Sequence, residues 1–589
     1  MDILIRNGLI IDGTGAVPYR ADLGIENGKI AYIGSHTVEA TQVIDAAGQY
    51  VSPGFIDMHS HSDYTLPVYP DAESAIGQGI TTMVGGNCGM SPSPCQNLYI
   101  PFCIEEKAMA GVLPEPIGGV NPGFMQMTPP ELLRPHYKEA FGSDLDWHSF
   151  AEYTAHLQRS GIATNLISMV GHGAIRAQVM GGDIHRTATP DEISRMVQLC
   201  DACMQQGAAG ISFGLDYDPG SYASDEELEA IASCVARNRK ILTTHYQIRP
   251  TRRGVTAEHS PVDGIVEMLE LAKRTGVHLH LSHLSASFSI KPYDRELERR
   301  SVLRVLEIID AYRADGAHVT YDVLPSYTGG DFFYPNIAQR FLPYVLQAGG
   351  MKQFSQALNT GNYKWLLIDD ICAGRHPSSS VMTYLNPVAM PRWGEGAVIT
   401  RCARGGYEGK TISTLCRESG KNYVEVLLDI LSCDPYACYN MWAGVPAGVD
   451  TDVFLAAPDM AVGTDTSAVN YTLLGTFNDD RPQNRRSTGT YCCFIKYLAS
   501  GRQPAEELIR HLTSVPAQIL NLRDRGTIAE GKAADLVLFD PKKLCPNEDF
   551  VESAQRPDGI SCVLVNGRTA FTGGEHTHIR SGKVITVGG

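Results

Sequence analysis

The stretch that decides the fold is Gly54-Phe55-Ile56-Asp57-Met58-His59-Ser60-His61-Ser62-Asp63. Its apolar start is typical of a buried strand that arrives at the catalytic end of an α/β barrel. Because successive side chains of a strand point to opposite faces, His59 and His61 are predicted to point the same way from one strand. Two imidazoles in this arrangement can hold one metal ion, but His-x-His by itself is more often part of a polar loop.

The composition is that of a globular protein with more than one domain. The chain has 589 residues, of which 43% are hydrophobic and 19% charged, and this length exceeds what one core usually organises. No apolar run approaches the ~20 residues that span a bilayer, and the first residues lack the order of a signal peptide, so a cytoplasmic location is predicted. The 15 scattered cysteines indicate reduced thiols. The net charge of −16 argues against nucleic acid or a membrane as a partner.

Both ends of the chain have the pattern of short strands separated by turns. Residues 1–52 contain Asn27-Gly28 between two apolar segments, which is a strong signal for a two-residue hairpin. Residues 525–589 have the same pattern, with a second Asn-Gly at Asn566-Gly567. The two ends are therefore predicted to build one small β-sandwich domain together.

Residues 53–524 alternate apolar strands with amphipathic helices, as parallel β/α units do. After the opening stretch, strands are predicted at residues 80–84, 163–170, 241–244, 277–282, 319–323 and 460–465. Polar side chains follow these strands, and the C-terminal ends of barrel strands lie on one face, where the active site is built. The predicted fold class is α/β, a (β/α)8 TIM-like barrel with the small β-sandwich domain attached.

Two segments interrupt this alternation. Residues near 92–146 are rich in proline and glycine, and residues near 327–398 contain Tyr334-Pro335 and Pro391-Arg392-Trp393-Gly394. Both segments are predicted to be insertions in the barrel. Long connections in compact domains are usually lids or binding loops, so both are expected over the mouth of the active site.

Six residues at the strand ends have the side chains that a metal site requires. Zn²⁺ prefers imidazole nitrogen, thiolate sulfur and carboxylate oxygen. Singly, each histidine can be an ordinary hydrogen-bonded residue, and cysteine is often buried as an apolar side chain. Their joint occurrence at successive strand ends favours a metal site made from His59, His61, Cys88, His245, His283 and Asp465.

Several motifs resemble the N-acyl-D-amino-acid deacylase (D-aminoacylase) family of the amidohydrolase superfamily. They cover nearly the full chain outside the two insertions. The matching segments are residues 79–89, which contain Cys88, residues 214–223, the strands that end at His245 and His283, residues 321–325, residues 513–517 and residues 526–536.

This resemblance implies a zinc-dependent hydrolase in which metal-activated water is the nucleophile. Cys88, His245 and His283 would bind one tight zinc, and His59 and His61 would line a second, weaker position with Cys88. Asp465 would be the general base and acid. His172 also matches a family motif, and we expect it either near the substrate or as a structural loop histidine.

The segments that recognise the substrate depart from the family pattern. The family usually has a lysine two residues after the last zinc histidine, where this chain has Ser285, and a tyrosine where it has Ser326, with Tyr327 one residue later. Arg486 is the expected arginine of the carboxylate clamp. Loss of one cation and one phenol removes charge-assisted hydrogen bonds from this pocket.

The predicted function is hydrolysis of a C–N amide bond in a small molecule, as in N-acyl-D-amino-acid deacylases. The altered pocket leaves open a cyclic amide, ureide or lactone, as in hydantoinases. A non-catalytic scaffold is the third alternative, but it predicts loss of ligands that are all present. Whether the chain forms a homo-oligomer stays open.

Overall fold

The computed structural model describes residues 1–36, 38–94, 142–181, 183–184, 186–216, 219–247, 261–284, 294–325, 337–373, 393–441, 453–471, 500–501, 503–547 and 555–588, with residues 134, 137, 138, 491, 494 and 497. Within these residues, no helix combines the length and the apolar character that a membrane span needs.

Strands come in an N-terminal group, a central group and a C-terminal group. In chain order they are β1 (Ile3–Ile10), β2 (Tyr19–Glu26), β3 (Lys29–Gly34), β4 (Gln42–Asp45), β5 (Tyr50–Pro53), β6 (Phe55–Asp57), β7 (Ile80–Gly85), β8 (Asn165–Ser168), β9 (Val170–Gly171), β10 (Gly210–Gly214), β11 (Ile241–His245), β12 (His278–Leu281), β13 (Val319–Val323), β14 (Ala397–Arg401), β15 (Cys438–Met441), β16 (Ala461–Val462), β17 (Leu536–Phe539), β18 (Ile560–Val565), β19 (Arg568–Thr572) and β20 (Glu575–His576).

Helices follow most of the central strands. They span Ser62–Thr65, Glu73–Ile76, Phe150–Ser160, His172–Met180, Pro190–Gln205, Asp225–Arg237, Pro261–Thr275, Arg295–Ala314, Leu342–Ala348, Met351–Leu358, Tyr363–Cys372, Trp393–Gly396, Ile412–Ser419, Tyr423–Cys433, Ala505–Leu512 and Ser514–Ile519. Local sequence explains several starts: Thr189 and Glu192 form a capping box at the helix Pro190–Gln205, which has Pro190 at its first position.

Strands from the two chain ends join in one nine-stranded sheet. Its order is β20-β19-β18-β17-β5-β1-β2-β3, with β4 paired to β1, so the antiparallel pair β5 and β17 connects the two ends. Both predicted Asn-Gly hairpins form. Asn27 and Gly28 have φ angles of 51° and 76°, and Asn566 and Gly567 have 48° and 75°, the left-handed values that this turn requires.

The central strands run parallel in two hydrogen-bonded groups. One has the order β6-β7-β8 and the other β16-β13-β12-β11-β10-β9. Backbone hydrogen bonds continue between the groups: Met58 N donates to Val462 O at 3.0 Å, and Met169 N donates to Gly85 O at 3.0 Å. The main hydrophobic core lies around these strands and includes Phe213, Ile231 and Leu279.

A separate hydrophobic cluster occupies the segment between β13 and β16. It extends from Ile337 to Tyr439 and contains side chains of the helices there and of the antiparallel pair β14–β15. Ile337 N donates to Ala437 O at 2.9 Å and brings the two ends of the segment together. The described part of the predicted second insertion is thus a helical unit with its own core, and it continues past residue 398. Most of the predicted first insertion lies outside the described residues.

Candidate metal centre and active site

The metal-competent residues lie just after the C-terminal ends of parallel strands. His245 is the last residue of β11, and Cys88, His283 and Asp465 follow β7, β12 and β16 within three residues. The prediction that His59 and His61 lie on one strand is wrong, because β6 ends at Asp57 and a helix begins at Ser62. The loop between them still brings the two imidazoles together, with ring centroids 5.6 Å apart.

Cys88, His245 and His283 form one group with metal-ligand geometry. The Cys88 Sγ lies 3.8 Å from His245 Nδ1 and 3.5 Å from His283 Nε2, and all the candidate ligand atoms are within 4.8 Å of one another. Zn–S and Zn–N bonds of about 2.3 and 2.0–2.1 Å at tetrahedral angles place sulfur and nitrogen about 3.5 Å apart. The donor types and the spacing of this group therefore fit zinc.

His59, His61, Cys88 and Asp465 form a second group that shares the same sulfur. His59 Nε2 lies 3.2 Å from Cys88 Sγ. An oxygen of Asp465 lies 3.4 Å from His59 Nε2 and 3.2 Å from His61 Nε2. The Asp465 side chain is 20% exposed, whereas the His59 side chain is fully buried, so the carboxylate is the group of this set with the most access from outside.

Three of the site residues have a left-handed backbone. The φ angles of Cys88, His283 and Asp465 are 56°, 36° and 51°, a region that costs a residue other than glycine about 1–3 kcal/mol. Such conformations persist only where the surrounding structure imposes them. Asp465 N, for example, donates to His59 O at 2.8 Å, which ties the second group together through the backbone.

A tight turn presents Cys88 to both groups. Ser212 Oγ donates to Gly86 O at 2.5 Å and accepts from Gly89 N at 2.9 Å, so one hydroxyl holds both sides of the turn. Gly86 has a φ of 75°, and a Cβ there would lie 2.1 Å from the Met169 carbonyl oxygen. Only glycine fits this position, because the angle and the close backbone approach both exclude a side chain.

Buried carboxylates orient the ligands, and sequence reasoning did not single them out. Asp322 Oδ1 accepts from His283 N at 2.8 Å, and its Oδ2 lies 3.5 Å from His59 Nδ1. Asp216 Oδ2 lies 3.6 Å from His245 Nε2. Asp57 accepts from both the N–H and the hydroxyl of Thr464, at 2.9 and 2.6 Å. A signal was available for each, since Asp57 and Asp322 lie in predicted strands and Asp216 lies in the family-matching segment of residues 214–223.

Electrostatics favour a thiolate at Cys88. Burial alone would raise the pKa of its thiol, but the charge of His59 and hydrogen bonds with His245 and His283 lower this pKa well below its ordinary value. For His61 the directions are reversed: burial lowers the pKa of the imidazole, but hydrogen bonds with Asp465 and Cys88 raise it to about 9. Since thiolate and neutral imidazole are the ligand forms, metal binding here releases protons.

His172 lies apart from both groups. It is fully buried, its Nε2 lies 2.6 Å from Glu227 Oε1, and Arg176 donates to the other oxygen of the same carboxylate. His172 begins the helix His172–Met180 rather than lying in a loop, and its role near the substrate stays a prediction. The other predicted substrate contacts, Ser285, Tyr327 and Arg486, lie outside the described residues.

Comparisons with known proteins agree with this site. The amidohydrolase family model matches residues 42–303 and 459–571, so the unmatched segment contains the helical unit. The D-aminoacylase of Alcaligenes xylosoxydans xylosoxydans is 27% identical over 99% of this chain and 97% of its own length. The N-acyl-D-aspartate deacylase of the same organism is 27% identical over 100% of this chain and 95% of its own.

The structure is also similar to a solved D-aminoacylase that has a binuclear metal centre. That structure matches with a TM-score of 0.69 and 25% identity over 99% of both chains. The predicted resemblance is confirmed over the full length. The chain belongs to the amidohydrolase family.

Proposed function

We propose that this protein is a zinc-dependent hydrolase that removes the acyl group of N-acyl-D-amino acids. The observation that carries the proposal is the Cys88 thiolate shared between two sets of metal ligands, one of which contains Asp465. Full-length similarity to D-aminoacylase and to N-acyl-D-aspartate deacylase supports the substrate class.

Cys88, His245 and His283 would hold the tight zinc, and His59 and His61 would line the second position. When bound, zinc supplies Lewis-acid chemistry: it polarises an amide carbonyl and makes water more acidic. Asp465 then takes a proton from the water whose oxygen attacks the acyl carbon. It delivers that proton to the amide nitrogen as the C–N bond breaks, which leaves a carboxylic acid and an amine. When only the tight zinc is bound, His61 Nε2, 3.2 Å from Asp465 Oδ1, would hold the carboxylate in place.

Closure of the barrel and the division of the chain into domains are part of the same proposal. The eight strand positions β6, β7, β8/β9, β10, β11, β12, β13 and β16 would close a (β/α)8 barrel, because Met58 links β6 back to β16. We assign residues 53–524 to the barrel, and residues 1–52 and 525–589 to the small β-sandwich. Arg486, Ser285 and Tyr327 remain predicted substrate contacts, and the cytoplasmic location and a homo-oligomer remain untested.

A substrate panel tests the proposed function. Zinc-loaded protein is assayed with N-acyl-D-amino acids, their L-enantiomers, hydantoins, dihydropyrimidines and lactones, with the products identified by mass. We expect release of a free D-amino acid. Activity confined to the cyclic substrates would assign the hydantoinase-like alternative, and no hydrolysis of any compound in the panel would contradict both.

The departure at Ser285 gives a second test. We expect Ser285→Lys to lower the KM for substrates with a free α-carboxylate by a few-fold, because a lysine restores a charge-assisted hydrogen bond. The methyl ester of the same substrate is the control and should not improve. An unchanged or higher KM for the free acid would contradict our account of the pocket.

A further inference from the structure

A line of polar side chains runs from the metal site along the inside of two strands. His278 and His280 lie on β12, Thr320 and Asp322 lie on β13, and the register pairs His280 with Thr320. Residues two apart on a strand face the same side, so all four share one face. On that face Asp322 is next to the metal ligands, and His278 is nearest the opposite end of the strands.

The four side chains form a continuous hydrogen-bond chain. His280 Nε2 lies 2.8 Å from Asp322 Oδ2, His280 Nδ1 lies 2.9 Å from Thr320 Oγ1, and the same hydroxyl lies 2.9 Å from His278 Nε2. His278 stacks on the exposed His318 ring, with centroids 3.7 Å apart and planes at 12°. The chain therefore ends at an aromatic contact near solvent.

With neutral imidazoles, the donors and acceptors of this hydrogen-bond chain can be arranged in only one direction. The Asp322 carboxylate only accepts, so His280 must donate from Nε2, and its Nδ1 is then an acceptor. Thr320 donates its hydroxyl hydrogen to that nitrogen and accepts from His278 Nε2. Burial lowers the pKa of His278 to about 3, with the neighbouring His318 and His280 as further causes, so this ring is neutral at pH 7.

Asp322 connects this hydrogen-bond chain to residues of both metal positions. Its Oδ1 accepts from the backbone N–H of His283, which has a strained φ of 36°, and its main-chain carbonyl accepts from Leu284 N at 2.8 Å. Its Oδ2 faces His59 Nδ1 at 3.5 Å, which leaves His59 Nε2 pointing to Cys88. One carboxylate thus orients a ligand of each group, as outer carboxylates of metal sites do.

We propose that His280, Thr320 and His278 are positioning residues, whose hydrogen-bond chain holds Asp322 in the orientation that sets His283 and His59 at the two metal positions. This inference rests on the metal dependence of the proposed function but not on its substrate. Its test therefore uses metal binding, and a failure of the substrate assignment leaves it intact.

The test compares Thr320→Val with Thr320→Ser in the full-length protein. Co²⁺ is the probe: its affinity is measured by equilibrium dialysis, and its visible spectrum reports the thiolate and imidazole ligands. Valine keeps the shape but leaves two imidazole nitrogens unpaired, so we expect about tenfold weaker Co²⁺ binding and altered bands. Serine keeps the hydroxyl and should stay within about threefold of the parent chain.

Thr400→Val is the matched control. Thr400 is a buried threonine of β14, and its hydroxyl has no hydrogen-bond partner within the described part of the chain. This variant should keep both the Co²⁺ affinity and the spectrum. If Thr320→Val binds Co²⁺ with the same affinity and the same bands as Thr400→Val, the proposal is overturned.

A second pair keeps the proposal testable if Thr320→Val does not fold. His280→Gln retains an amide donor toward Asp322, whereas His280→Leu does not. We expect the leucine variant to bind Co²⁺ about 10- to 100-fold more weakly and the glutamine variant to lie nearer the parent chain. Equal affinities for glutamine and leucine would overturn the proposal, because a merely space-filling role would not distinguish them.

Discussion

The two candidate metal positions share the Cys88 sulfur but differ in the group that completes them. The first adds the imidazoles of His245 and His283. The buried Asp216 lies beside the His245 ring, and the buried Asp322 accepts from the backbone N–H of His283. The second adds the imidazoles of His59 and His61 and the partly exposed carboxylate of Asp465. Sulfur and nitrogen donors suit retention of zinc, whereas a carboxylate with outside access suits proton transfer. We expect from this difference that the first position retains the metal and that the second faces the reaction.

The largest effect is expected from removal of the Cys88 sulfur, which the two positions share. Cys88→Ala should lose both metal equivalents and all measurable hydrolysis, because every S···N contact of the two groups disappears. Metal content of the purified protein and kcat are the measurements. Cys562→Ala, at a buried cysteine of the terminal sheet, is the control and should retain metal. A Cys88→Ala protein with normal zinc content would show that the sulfur is not a ligand.

The next effect separates retention of the metal from proton transfer. Asp465→Asn should keep the tight zinc and lower kcat by about 10²–10⁴-fold, because an amide cannot take and return the proton. The metal content is measured on the same sample. Asp459→Asn, at an exposed carboxylate paired with Arg313, should leave kcat unchanged. High activity in the Asp465→Asn enzyme would refute the acid and base role.

A mirrored pair of substitutions breaks one position at a time. His245→Ala should remove the tight equivalent and most of the activity, since only two ligands of the first group remain. His61→Ala should abolish the weaker equivalent but leave the tight one within about threefold. Titration with Zn²⁺ and a competing chelator measures both. Equal losses of the tight equivalent in the two variants would contradict the ranking of the positions.

The smallest expected effect concerns an aspartate next to one ligand. Asp216 lies 3.6 Å from His245 Nε2, the nitrogen that faces away from Cys88. Asp216→Asn should weaken the tight equivalent by about tenfold, the lower end of the usual range for such residues, and should spare the second position. A stepwise Co²⁺ titration distinguishes the two equivalents. If only the weaker equivalent is lost, Asp216 supports the second position and our assignment to the first is wrong.

Much of the fold followed from local patterns. Asn27-Gly28 and Asn566-Gly567 predicted their hairpins because few other pairs adopt two consecutive left-handed residues. The strands near His245 and His283 were predicted because short segments with apolar residues alternate with amphipathic helices in this part of the chain. The helical unit of residues 337–441 was not predicted, since its segment was interpreted as a long connection that interrupts the barrel pattern. Its core depends on contacts between distant segments.

Part of the candidate site could also be predicted from local sequence patterns. Cys88 and the histidines could be identified from their places near strand ends, and the family resemblance already implied two sets around Cys88. The distances within each set came only from the structure. Asp322 escaped notice because its partners, His59 and His283, are far from it in sequence. The strand geometry expected for His59-Ser60-His61 was wrong because β6 ends at Asp57 and a helix already begins at Ser62.

The sequence by itself determined the residue types of the metal site, their order along the chain and the family, since donor chemistry and local periodicity are properties of short segments. Only the tertiary structure decided the distances from the Cys88 sulfur to the four histidines, the left-handed conformations of Cys88, His283 and Asp465, and the hydrogen bonds that connect Asp322 to His280 and Thr320. The physical reason is that ligand geometry depends on distances between different strands, and packing and hydrogen bonds of the whole fold set those distances.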